Sequence, residues 1–167
     1  MTVATPPEIQ SAIPRLQPSG WIRYFSFSVD HKVIGLQYLV CGFAFYLVGG
    51  ALAGAIRTEL ASPVSDFMAR DVYNQVLTLH GTVMIFLWIV PVVNGAFGNY
   101  LIPFYVGARD MAFPRLNAVA FWLIPPAGLM LITSYFLTGA AQSGWTAYPP
   151  LSITTPAAGQ VIWILSV

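Results

Sequence analysis

Val33 to Ile56, 24 residues, and Val72 to Ala108, 37 residues, contain no formally charged residue. About 20 apolar residues carry one helix across the hydrocarbon of a bilayer. Inside that hydrocarbon a segment must satisfy its own backbone hydrogen bonds, so an open strand is excluded and a helix is required. Charged residues make up 8% of the sequence and hydrophobic ones 57%, against roughly 25% charge in soluble domains. The fold class that follows is all-α, a polytopic transmembrane helix bundle. A formal net charge of +1 leaves no basic patch to meet a phosphate backbone, which excludes a nucleic-acid partner.

The charged residues mark the ends of the spans. Asp30-His31-Lys32 opens the first and Arg57-Thr58-Glu59 closes it. A polar connector, Leu60 to Asp71, contains Pro63 and Asp66. The second helix is expected over about Tyr73 to Leu101, giving way near Pro103 and Gly107, with a kink where Pro91 removes a backbone hydrogen bond. Arg109, Asp110 and Arg115 form a charged loop, and a third helix follows from about Pro114 to Leu137, bent at Pro125-Pro126. Thr138 to Ala158 holds Gly, Pro, Trp145 and Tyr148 and reads as a connector at the membrane interface. Gly159 to Val167 is apolar but too short to span. The chain therefore reads as three complete spans and the start of a fourth, the N-terminal part of a larger bundle. Cys41, a single thiol within an apolar run, reads as a small buried hydrophobe.

Residues 1–29 are assigned to an N-terminal cytoplasmic tail and 30–167 to the transmembrane domain. Met1 to Gly20 has no apolar core and is not a secretory signal; it is expected to be disordered or to lie on the surface. Arg15, Arg23 and Lys32 flank the first span on one side, and Arg109 and Arg115 lie in the loop after the second. The opposite side has only Arg57 and Arg70, so the positive-inside rule puts the N-terminus inside.

His80 is the one imidazole well inside an apolar run. An ionisable group there is costly and is a functional-site hypothesis by default. By helix rise it lies roughly 10 Å below the outer boundary, with Asn99 roughly 29 Å further down at the inner face. Tyr73 precedes it by two turns on the same face, Arg57 ends the neighbouring helix near the same side, and Gly81 leaves room for a flat macrocycle. Spacing alone leaves two readings open, an axial haem ligand or an interhelical hydrogen-bonding residue. Asn99, Asp110 and Asn117 form a second constellation at the inner side. It suits either proton admission along ordered water or a solvated acid with capping amides. Arg109 and Arg115 are expected to lie close to Asp110 and keep it ionised.

Five runs then carry a resemblance: DHKVIGLQYL (Asp30 to Leu39), IRTEL (Ile56 to Leu60), YNQVLTLHGTVMIF (Tyr73 to Phe86), FGNYLIPFYVGARDMAFPRLNAVAFWLIPP (Phe97 to Pro126) and GWTAYPPL (Gly144 to Leu151). In order and spacing they are similar to subunit I of the haem–copper oxidases, of the aa3 cytochrome c oxidase type. The resemblance implies that His80 is one axial ligand of the low-spin haem a. It also implies that Arg57 bonds that haem's formyl group and that Tyr73 and Trp145 lie near its propionates. Asp110 matches the mouth of the D proton pathway, with Asn99 and Asn117 lining its lower part. Glu59 matches a carboxylate of a peripheral calcium or sodium site, though its companion ligands are not all present. His31 matches an interfacial position, not a ligand.

The copper B histidines, the cross-linked tyrosine, the high-spin haem ligand and the second low-spin ligand would all lie beyond Val167, so no catalytic residue is expected in this segment. The implied partners are the remainder of subunit I, a copper-bearing subunit II, subunit III, cytochrome c as electron donor and the lipid bilayer. The implied activity is reduction of O2 to water with proton pumping, in a bacterial plasma membrane, with thylakoid and mitochondrial inner membranes as alternatives. A quinol-oxidising relative is the nearest variant. A truncated haem-binding or scaffolding membrane protein is the alternative of a different class.

Overall fold

The structure is a computed structural model describing residues 20–64 and 67–167. Three helices in it are long and apolar enough to cross a membrane: α1, His31–Glu59; α2, Arg70–Val106; and α3, Pro114–Leu137. Two shorter ones follow, α4 (Leu151–Thr154) and α5 (Ala157–Ser166). The described residues contain no strand.

Helix α1 starts where the sequence supplies a cap. The Asp30 carboxylate accepts from the Lys32 backbone N–H at 2.9 Å, satisfying a donor that the first turn leaves orphaned. The same carboxylate pairs with Arg23 at 2.6 Å. Residues 1–19 of the expected tail lie outside the described residues. The part that is described does not hang free: Gly20–Phe25 forms a 3-10 turn, and Gln37 of α1 donates its amide hydrogens to the carbonyls of Tyr24 and Ser26.

The second span is longer than expected. It begins at Arg70 and passes both Leu101 and Pro103 before ending at Val106. Pro91 does not break it. The helix widens instead into π-helical winding over Val83–Ile89 and Pro91–Gly98. That winding accommodates a residue with no N–H and a ring that crowds the preceding turn. Termination waits for Gly107, left-handed at φ 69°, with the Ala108 N–H donating back to the Pro103 carbonyl at 2.9 Å. This is the glycine-closed end of a helix, which a residue bearing Cβ adopts only with strain.

Helix α1 runs along the whole length of α2, and α5 packs on α3. The α1–α2 seam rests on three glycines spaced by seven residues, Gly35, Gly42 and Gly49, all buried. A Cβ at Gly35 would lie 3.1 Å from the Ala96 carbonyl; at Gly42, 2.6 Å from a Val92 methyl; at Gly49, 2.5 Å from the Met84 sulfur. Lipid gives helices no hydrophobic drive toward each other, so close backbone approach and dispersion hold such a seam. Two apolar clusters complete the core. Phe45, Leu79, Val83, Leu87 and Leu131 form one; Ile34, Tyr38, Ala96, Ala118 and Phe121 form the other. Cys41 packs against both.

Candidate functional site

One face of α2 also holds the 3–4 connector. Gln75, Thr78 and Thr82 lie at helical spacing. Gln75 accepts from the Ala140 N–H and Thr78 from the Gly144 N–H, each at 2.9 Å. The Trp163 indole of α5 donates to the Thr82 hydroxyl at 2.8 Å. Three contacts thus fix the helix that carries His80, and a fourth fixes its own ring.

His80 Nδ1 lies 2.9 Å from the carbonyl oxygen of Gly49. A carbonyl oxygen only accepts, so Nδ1 carries the hydrogen and donates it. In the neutral ring that leaves Nε2 with a lone pair and no hydrogen, the form in which imidazole ligates a metal. The seam glycine is what lets the α1 backbone come this close. His80 and Arg57 line one cleft of about 520 Å³, together with Ala53, Ile56, Leu60, Ala61 and Leu77. Arg57 is exposed, and among the described residues no carboxylate lies within 4 Å of its guanidinium.

The remaining residues expected at this end are distributed differently. Tyr73 is half-buried but does not line the His80–Arg57 cleft. Trp145 comes directly against α2: its indole lies 3.1 Å from where a Gly81 Cβ would stand and 6.2 Å, edge-on, from Phe86. The bare face of Gly81 is thus covered by this indole, which corrects the expectation that it is open to a macrocycle. Glu59 accepts from the Met68 backbone N–H at 2.9 Å and braces the connector. Among the described residues no group of three histidine, cysteine or carboxylate side chains is placed to hold a metal ion.

The other end of α2 is organised around Asn99, which is buried. Its amide nitrogen donates to the Gly95 carbonyl at 2.7 Å, and its side-chain oxygen accepts from the Asn117 amide of α3. Its backbone carbonyl accepts from His31 Nδ1 at 2.8 Å. His31 is 4% exposed, so it is a buried strut between α1 and α2 as well as a residue at the helix start. Sequence reasoning missed that role.

A cleft of about 490 Å³ runs from this network along α2 as far as Phe86, lined by Met111, Asn117, Asn99, Asn94, Leu87 and Ser166 among others. Asn94 and Ser166 also escaped the sequence reading, although Asn94 is a polar residue inside a charge-free run. Asp110, half-buried, stands beside Met111 and accepts from that residue's N–H at 2.7 Å. No ion pair within 4 Å joins it to Arg109 or Arg115, the arginines expected to lie close to it. Among the described residues the ion pair within 4 Å is Arg23–Asp30, and Asp110 turns to the backbone instead.

The family model for "Cytochrome C and Quinol oxidase polypeptide I" matches residues 33–167. The chain belongs to this family. It is 63% identical over 147 residues to cytochrome c oxidase subunit 1 of Thermostichus vulcanus, covering 88% of the chain and 26% of that protein. Against cytochrome c oxidase subunit 1 of Synechocystis it is 62% identical over 146 residues, 87% of the chain and 26% of the relative. Identity to the Corynebacterium glutamicum protein of the same name is 45% over 144 residues, 84% of the chain and 24% of the relative. The chain spans about a quarter of the length of the curated relatives it matches. With three helices of spanning length and apolar character, this member of the oxidase family is an integral membrane protein.

Proposed function

We propose that this segment is the part of an oxidase subunit I that supplies one axial ligand, His80, to a low-spin haem a and the first stretch of a proton route beginning at Asp110. The observation that carries the reading is the His80 ring itself, oriented through Nδ1–H by the Gly49 carbonyl with Nε2 left free to ligate. Arg57, which shares the His80 cleft, would donate to an electron-rich substituent at the edge of the macrocycle. Tyr73 and Trp145 would serve the propionate side. When bound, the haem supplies a one-electron iron centre. The opposite ligand and the O2-reducing haem–copper site belong to the remainder of subunit I.

On the other side, Asp110 would take up a proton and Asn99 and Asn117 would order water above it. The amides donate and accept but do not ionise in this range, so they can orient a chain of water without trapping a proton on themselves. The whole protein would reduce O2 to water and pump protons, assembled with subunits II and III in a bacterial plasma membrane, or in a thylakoid or mitochondrial inner membrane. The family description covers cytochrome c and quinol oxidases alike. The relatives above are named for cytochrome c, which favours it as electron donor.

The test uses the full-length subunit in its complex. His80→Ala is expected to abolish the low-spin haem a band in the reduced-minus-oxidised spectrum. Asp110→Asn should leave that spectrum unchanged while slowing proton uptake. Normal haem content in the His80 variant would overturn the ligand assignment, and normal proton uptake in the Asp110 variant would overturn the proton route.

A further inference from the structure

A third hollow, sharing no lining residue with either cleft, lies beside the N-terminal end of α1. It measures about 620 Å³, and its lining includes Arg23, Lys32, Tyr100, Leu36, Phe97 and Leu101. These residues are ordered in depth. On α1, Lys32 is in the first turn and Leu36 one turn deeper; on antiparallel α2, Leu101 and Tyr100 come near the end of the helix and Phe97 about one turn further in. Two cations thus stand at the level where the helix meets the headgroups, and apolar side chains continue from them toward the hydrocarbon. That order, charge then tyrosine then aliphatic wall, is the order of a phospholipid.

The charge balance selects the headgroup. Arg23 is joined to Asp30 through one guanidinium nitrogen at 2.6 Å, with its side chain 39% exposed, so other donors of the fork are available. Lys32 has its ammonium 5.0 Å above the Phe104 ring and, among the described residues, no carboxylate within 4 Å. The hollow therefore carries one positive charge beyond the Arg23–Asp30 pair. A zwitterionic lipid brings no net charge to meet it; an anionic one does. The neighbouring 3-10 turn exposes Trp21, Ile22 and Phe25, each by at least two-thirds, and a tryptophan so displayed suits the membrane interface.

We propose that this hollow holds one anionic phospholipid, its phosphate against Lys32 and Arg23 and one acyl chain along Leu36, Phe97 and Leu101. Near a membrane each cation is worth on the order of a fivefold preference for an anionic headgroup.

The experiment uses the intact complex in its own membranes. The probes are a phosphatidylglycerol carrying a diazirine on one acyl chain and the matching phosphatidylcholine, with crosslinked peptides mapped by mass spectrometry. Segments 33–39 and 97–101 should be labelled about fivefold more by the phosphatidylglycerol probe. Lys32→Gln, which leaves the Arg23–Asp30 pair in place, should remove most of that preference without changing labelling elsewhere on the chain. Leu36→Trp fills the groove and should reduce labelling by both probes. Equal labelling by the two lipids, or a preference that survives Lys32→Gln, would overturn the proposal. So would absence of label on both segments, the result expected if another polypeptide covers the hollow.

Discussion

Gly95→Ala adds one methyl group where the structure has no room for it. Its Cβ would fall on the ring of Tyr38, with Cε1 at 2.6 Å and Cγ at 2.7 Å. That ring cannot swing aside freely: Tyr38 is 7% exposed and stands edge-on to Phe121 at 5.1 Å. Forcing a methyl into a filled interior costs about 1–3 kcal/mol, and disturbing an aromatic pair adds about 0.5–1.5 kcal/mol. Against this, alanine is favoured over glycine within a helix by about 0.8–1 kcal/mol. The net expectation is destabilisation by about 0.5–3.5 kcal/mol. Gly54→Ala is the matched control, because nothing lies within 4 Å of its Cβ position and only the helix-propensity gain applies. The assay is reversible unfolding of the full-length protein in bicelles, followed by steric trapping. If Gly95→Ala unfolds no more readily than Gly54→Ala, the close-approach account of these helices is wrong. Gly95→Ala combined with Tyr38→Leu should recover most of the loss, since a branched side chain can clear the added methyl.

Other expectations rest on single contacts. Asn117→Leu removes the donor to buried Asn99 and should cost about 0.6–1.7 kcal/mol, the range of interhelical bonds in membranes; a double-mutant cycle with Asn99→Ala measures it, and zero coupling would dissolve the pair. Thr82→Val takes the acceptor from the Trp163 indole and should cost about 1 kcal/mol. The indole hydrogen-bond marker in resonance Raman should weaken in that variant and return with Thr82→Ser. Gly159→Ala would drive a methyl into the backbone carbonyls of Gly139 and Ala140. Proteolysis of the connector preceding α5 should accelerate several-fold, and an unchanged cleavage rate would mean that the loop yields without cost.

Much of the bundle is legible because charge is so scarce in this sequence. Asp30 and Glu59 bracket α1 as their positions imply, and Pro114 and Leu137 bound α3 at the expected residues. The reading of α2 stops short at its C-terminal end, where the span continues through Pro103 to Val106, and the prolines are the reason. Pro91 and Pro103 count against a helix in water, but in an apolar run neighbouring helices and local π winding absorb them. The glycine seam was present as a seven-residue period, Gly35, Gly42, Gly49, yet glycine carries no hydrophobicity and a search for apolar stripes passes over it. Consequently the partner of His80 stayed hidden: a backbone carbonyl has no signature in the sequence. His31 and Asn99 are likewise joined through a main-chain oxygen, which no residue-type pattern reports. Asp110 was legible as an isolated acid, but its turn to the Met111 N–H depends on loop geometry alone.

The π-helical stretch gives α2 a constraint of phase. His80 and Asn99 ride on the same rod, one locked to Gly49 and the other to Asn117 and His31. In an α-helix one residue added or removed between two points turns one relative to the other by about 100° and shifts it by about 1.5 Å. A single-residue insertion or deletion anywhere from 83 to 98 would therefore withdraw one end from its partners, whatever residue were chosen. The number of residues along this stretch is thus fixed independently of which side chains it carries. The widened turns do more than accommodate Pro91: they set the rotation that lets one helix meet two fixed addresses on its neighbours.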